Sequence, residues 1–231
     1  MSIEVNSFFD LEESDFQGLW PDSKVFSALS GLTDFLKKFP LGQIRSRLPE
    51  GVFLFNPEQI FIDEGVVIEP GVCLIGPCYI GEKCTLRHTA YLRGPVFLAP
   101  GSLVGHASEV KNSIFLEAAS AAHFAYVGDS ILGKKVNLGA GVKCANLKLG
   151  RDEIILNLEK EKIHTGLNKM GAVIGDQSQI GCNTVLNPGT LIGKDVLIYP
   201  NLTVGGAVPE GSVVKNKKGY ELCFRRKHSF S

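Results

Sequence analysis

Residues 174–209 read "IGDQSQ IGCNTV LNPGTL IGKDVL IYPNLT VGGAVP". An aliphatic residue returns at every sixth position: Ile174, Ile180, Leu186, Ile192, Ile198 and Val204. Glycine follows directly at Gly175, Gly181, Gly193 and Gly205. Six returns in phase fit neither the 3.6-residue period of a helix nor the plain alternation of a half-buried strand. The same phase recurs at Leu132 and Leu138 in "LGKKVNLGAGVK", and more loosely from Ile75 in "IGPCYIGEKCT".

A period of six implies a short strand followed by a turn, with three hexads closing one triangular coil of about eighteen residues. The aliphatic position points into the prism, and the next position sits at a confined corner that favours glycine. Successive coils then stack at the strand spacing of about 4.8 Å. The pattern is that of a left-handed parallel β-helix, a fold class that departs from the usual right-handed crossover.

The hexads do not cover the whole chain. Over residues 1–50 the repeat is absent, and "DSKVFSALSGLTDFLKKFP" places Val25, Phe26, Leu29, Leu32, Phe35 and Leu36 at helical spacing. Asp22 or Ser23 can cap that helix, and Pro40 ends it. This segment reads as a partly helical cap closing the open end of a solenoid that spans residues 51–215. Within the solenoid, 147–168 ("LKLGRDEIILNLEKEKIHTGLN") breaks phase, with "EIILNL" and "KIHTGL" flanking a charged tip, as in a protruding loop or hairpin. The tail 216–231 is basic and leaves the repeat.

Composition narrows the function. The 231 residues carry 24 basic and 24 acidic side chains, 44% hydrophobic and 21% charged residues. A chain without charge excess offers no electrostatic footprint for nucleic acid or an anionic membrane. The acidic start has no basic n-region, and no apolar stretch approaches a membrane span. The six cysteines show no C-x-x-C pairing, which reads as free thiols in a reducing compartment, and a cytoplasmic location is expected. His88, His106 and His123 lie eighteen and seventeen residues apart, a ladder up one face without the close pair a zinc site would use, so no tightly bound metal is expected.

The 57 residues 90–146 carry "E-x-K" at Glu109–Lys111, "H-x-x-Y-x-G-D" at His123–Asp129 and "V-N-x-G-A-G" at Val136–Gly141. In that order and spacing they resemble the acetyltransferase half of the bifunctional glucosamine-1-phosphate acetyltransferase/N-acetylglucosamine-1-phosphate uridylyltransferase (GlmU) family. The resemblance implies a left-handed β-helix working as a homotrimer. It also implies acetyl transfer from acetyl-CoA, as co-substrate, to the amine of an amino-sugar phosphate such as glucosamine 1-phosphate, feeding UDP-N-acetylglucosamine and cell-envelope precursors. Residue by residue, it implies His123 as the catalytic base and Glu109 as its orienting partner. Arg93 and Lys111 fall on the phosphate binders, and Tyr126, Asn137 and Lys169 on the sugar binders. Ala140, Asn146 and Cys182 fall on the acetyl-CoA side. The chain departs from the pattern at Leu147, at the 147–168 insertion, at His106 in place of asparagine, and at Cys182 in place of serine. No uridylyltransferase domain with its glycine-rich loop is present in the sequence.

These residue types suit the chemistry. A sugar ammonium must lose a proton before it attacks a thioester, and histidine, with an ordinary pKa near 6.5, is suited to take it. A carboxylate can favour the imidazolium that results. Arginine and lysine can neutralise a phosphate, the first as a fork and the second as a point charge. The basic triplet Arg225–Lys227 reads either as a contact for coenzyme A phosphates or as a solvated end. A non-catalytic sugar-phosphate-binding or assembly subunit on the same solenoid is the alternative reading.

Overall fold

The structure, a computed structural model, describes residues 1–11, 16, 18–158 and 161–216, and the backbone of 220–224. It is a parallel β-solenoid whose three faces wind around one apolar core. The hexad positions form that core: Ile174, Ile180, Leu186, Ile192, Ile198 and Val204 are all buried. Ile192 follows Ile174 on the second face, Ile198 follows Ile180 on the third, and Val204 follows Leu186 on the first.

The first face includes the strands Phe53–Phe55, Cys73–Ile75, Tyr126–Gly128 and Lys143–Cys144. The third includes Leu103–His106, Ser120–His123, Asn137–Leu138 and Gln179–Ile180. Two long strands, Tyr91–Leu98 and Glu109–Phe115, turn a corner and serve the first and second faces in succession. Arg93 pairs with Lys111 one coil above it, so the eighteen-residue spacing places the two cations in register.

The second face differs from the others because both of its sides are buried. Phe97, Ile114, Ile131, Val173 and Leu191 point outward from it into a second apolar cluster. The N-terminal segment supplies the cover. Phe8, Phe9, Leu19 and the helix Ser27–Leu36 lie there, with Phe35 packed edge-on against Phe97. The helix therefore lies along the flank of the prism, against the strands 91–98 and 109–115, while residues 42–48 run along the first coil, where the Gly42 and Arg45 N–H groups donate to the Ile60 and Ile62 carbonyls and Leu48 packs on the core. An exposed apolar face several coils long demands cover more strongly than a single terminal coil does. The helix also starts later than its pattern suggests. Asp22 instead accepts a backbone hydrogen bond from Lys24 in a local turn, and Val25 and Phe26 are buried ahead of the first helical residue.

The 147–168 insertion is a hairpin of Ile155–Asn157 against Lys162–His164. Ile154 and Leu156 bury themselves in the flank cluster beside Met170 and Leu191, so the hairpin is fastened to the second face. Glu153 closes its base, accepting hydrogen bonds from the Gly166 N–H (2.7 Å) and from His164 Nδ1 (2.9 Å). The last parallel strand, Ser212–Asn216, is closed by Tyr220–Phe224 running antiparallel. The triplet 225–227 and the side chain of Cys223 lie outside the described residues. No described helix is long and apolar enough to cross a membrane.

Candidate active site

The corner between the third and first faces carries a column of residues stacked one per coil. Each residue after the column donates its backbone N–H to the carbonyl one coil below. Ala107 donates to His88, Phe124 to His106, Gly141 to His123 and Asn183 to Ala140, at 2.8–3.3 Å. Asn201 repeats the contact to Cys182 at 2.8 Å. His88, His106, His123, Ala140 and Cys182 thus climb one edge of the prism. The His88 and His106 rings stack at 5.3 Å, and His123 is exposed at the end of its strand. Among the described residues no group of three His, Cys, Asp or Glu side chains is placed to hold a metal ion.

Beside this column, on the first face, lies a cleft of about 480 Å³ walled by Glu109, Phe124, Tyr126, Lys143, Asn146 and Leu147. A charged network lies beside it and shares Glu109 and Asn146 with its wall. Arg93 Nε donates to Glu109 Oε1 at 2.7 Å, which raises the guanidinium's already high pKa. Lys111 Nζ donates to both carboxylate oxygens of Asp129, at 2.8 and 2.9 Å. Asn112 Nδ2 reaches the same carboxylate at 2.7 Å, and Asn146 Nδ2 donates to its other oxygen. Tyr126 stands one coil above Glu109, and its hydroxyl and Asn146 Nδ2 both lie over Gly128. Burial, reinforced by the Glu109 charge, pushes the Tyr126 phenol above its ordinary pKa and keeps it a neutral donor. Gly128 makes room for this arrangement, since a Cβ there would lie 2.7 Å from the Tyr126 hydroxyl and 2.8 Å from Asn146 Nδ2.

The fold therefore brings Arg93, Glu109, Lys111, Tyr126 and Asn146 to one face, as an Arg93–Glu109 pair and a Lys111–Asp129–Asn146 group with Tyr126 beside them. Lys169 returns from the hairpin at the same level, where the N–H of Met170 donates to the Asn146 carbonyl at 3.0 Å, and its side chain is exposed. Asn137 stands apart on the third face, between Ser120 and Gln179. It lines a second groove of about 360 Å³ with Gly139, Cys182, Leu197 and Tyr199, and Ala140 borders that groove from the corner column. One expected contact is not made. The Glu109 carboxylate is bonded to Arg93, and no described residue forms a hydrogen bond with the His123 ring. The reason is positional: Glu109 faces Tyr126 across the ladder, while His123 lies three residues earlier, across the corner.

The sequence reading passed over Asp129. It is 3% exposed, and three donors converge on its carboxylate. The signal was present, since Asp129 follows Lys111 by eighteen residues, one coil length. Lys143 was also missed, a lysine on the cleft wall directly above Tyr126 whose ammonium donates to the Gly141 carbonyl at 2.7 Å.

Residues 171–206 match the bacterial transferase hexapeptide (six repeats) family. The chain is 35% identical over 157 residues to a bifunctional sugar-1-phosphate nucleotidylyltransferase/acetyltransferase of Sulfurisphaera tokodaii, covering 68% of this chain and 39% of that protein. It is 30% identical over 228 residues to the bifunctional protein GlmU of Methanococcus maripaludis, covering 98% of this chain and 53% of that one. The chain thus spans about half the length, or less, of these curated relatives. Among solved structures, a UDP-N-acetylglucosamine acyltransferase from Campylobacter jejuni superimposes with a TM-score of 0.42 at 14% identity, over 77% of this chain and 74% of that one.

Proposed function

Starting from the chain's homology to GlmU and to sugar-1-phosphate nucleotidylyltransferase/acetyltransferases over most of its length, we propose that it is a CoA-dependent acyltransferase acting on the amine of an amino-sugar phosphate. Acetyl-CoA is the proposed donor and glucosamine 1-phosphate the proposed acceptor. The observation that carries this reading is the cleft by the His123 corner, walled by Glu109, Tyr126 and Asn146, beside which Arg93 pairs with Glu109 while Lys111 and Asn146 converge on Asp129.

The proposed chemistry follows from that layout. The acceptor phosphate meets the unused guanidinium N–H groups of Arg93, with Lys111 behind and Lys169 at the rim. The sugar ammonium first sheds one proton to solvent, and as the neutral amine attacks the thioester carbonyl His123 takes the second proton that its nitrogen must lose. The C–S bond then breaks, and the departing thiolate of coenzyme A recovers the proton from His123. The Asn146 region faces the oxygen that becomes negative on the way. Coenzyme A extends up the corner past Ala140 to the groove at Cys182. Three copies of the prism would form one such crevice between each pair, the homotrimer proposed here.

His123→Ala tests the mechanism. Acetylation of glucosamine 1-phosphate is expected to fall about 10²–10⁴-fold, while acceptor and coenzyme A binding and the fold persist. Turnover within a few-fold of wild type would remove His123 from the base role.

A further inference from the structure

The turn residues that follow the corner column share an unusual backbone. Thr89, Ala107, Phe124, Gly141, Asn183 and Asn201 have φ of +59°, +51°, +52°, +76°, +57° and +59°. This left-handed region suits glycine and asparagine and penalises bulky side chains, whose Cβ crowds the following carbonyl. Five of the six positions hold small or short polar residues, and the sixth holds phenylalanine. Burial does not compensate it, because Phe124 is 55% exposed. Its ring is nonetheless held in place, edge-on to His106 at 5.2 Å and 80°, and 6.4 Å from the His123 ring. It forms a wall of the first-face cleft, with Tyr126 two residues further on.

A fixed, exposed aromatic ring in an unfavourable backbone conformation, beside the proposed base, points to a ligand contact. The C–H face of a pyranose ring presents apolar surface suited to an aromatic ring, while its phosphate and hydroxyls need the polar groups of the same cleft. Phe124 sits at the corner in the same coil as His123, its ring against His106 of the coil below, with Glu109 below it and Lys143 and Asn146 above it along the cleft wall. We propose that Phe124 is the platform on which the acceptor's sugar ring lies, turning its amine toward His123. This rests on the reading of the acceptor as an amino-sugar phosphate. Phe124 then sets specificity for a ring-shaped acceptor, and the phosphate contacts are left to Arg93 and Lys111.

Three variants test this: Phe124→Gly, Phe124→Asn and Phe124→Tyr. The first two relieve the backbone, so their melting temperature is expected to rise by about 2–4 °C. Their KM for glucosamine 1-phosphate is expected to rise about tenfold, the value of one good aromatic contact, with kcat and the KM for acetyl-CoA within twofold of wild type. The tyrosine variant keeps the ring and should keep the acceptor KM. An unchanged acceptor KM in the glycine and asparagine variants overturns the proposal. So does a rise in the acetyl-CoA KM instead, a lower melting temperature, or a changed native mass that marks Phe124 as a subunit contact. If the wild-type protein acetylates no amino-sugar phosphate, the functional reading fails by itself. Calorimetric titration with glucosamine 1-phosphate then decides the platform. Tenfold weaker binding by the glycine variant upholds it, and equal binding, or none by the wild type, overturns it.

Discussion

At the scale of single residues, the site turns on Asp129. Its carboxylate holds Lys111, Asn112 and Asn146 together. With Asp129→Ala, Lys111 keeps its charge in a position only 19% exposed and loses its counter-ion. That is expected to cost roughly 2 kcal/mol, a fall in melting temperature of about 4–8 °C, together with loss of acetylation. Thermal denaturation beside an activity assay checks both, and a variant as stable and active as wild type would contradict the network's importance. The register of Arg93 on Lys111 was legible, because one coil is one repeat of the sequence. The choice of carboxylate by each cation was not. Lys111 has Glu109 in its own coil and Asp129 one coil above, and the geometry gives it Asp129 and leaves Glu109 to Arg93. His123 was legible from its motif, whereas the partner assigned to it was not, for the same reason.

At the scale of elements, the hexads announced their own strands, but the cover on the second face was harder to foresee. Its signal lies in strands such as Ile60–Ile62 and Ala172–Ile174, which are buried throughout where the other faces alternate. A continuous apolar strand needs a layer on each side, and the N-terminal helix and the hairpin at 154–156 provide the outer one. The hairpin was legible as a hairpin, but its direction was not, since that depends on where the uncovered face lies. The groove on the third face makes a prediction of its own. Burial pushes the thiols of Cys78, Cys84 and Cys144 up to about 12, so at pH 8 they are almost wholly protonated and unreactive. Cys182 is exposed at the groove. Iodoacetamide should therefore label Cys182 in the folded protein, and coenzyme A should slow that labelling at least several-fold. Peptide mass mapping reads the result, and labelling at an unchanged rate in saturating coenzyme A would place the cofactor elsewhere.

At the scale of the molecule, the solenoid sets residues of successive coils one above another along a single edge. The cleft spans the coils of Glu109, Tyr126, Lys143 and Val185, His123 lies at the corner of the Tyr126 coil, and the groove at Cys182 lies on the third face. This order follows from the repeat alone, since residues one coil apart must lie about 4.8 Å apart along the prism. The chain matches about half the length, or less, of relatives named for two activities. The proposal gives it the acyl-transfer step, and a separate nucleotidyl transfer must then consume the product if an activated sugar is to form. The most direct test is to incubate the protein with acetyl-CoA and a panel of amino-sugar phosphates and to read the products by mass spectrometry. The account predicts one added acetyl group on glucosamine 1-phosphate or a close relative, with stoichiometric release of coenzyme A. No acetylated product from any acceptor, together with failure to bind coenzyme A, would contradict it and leave a binding or assembly subunit on the same scaffold.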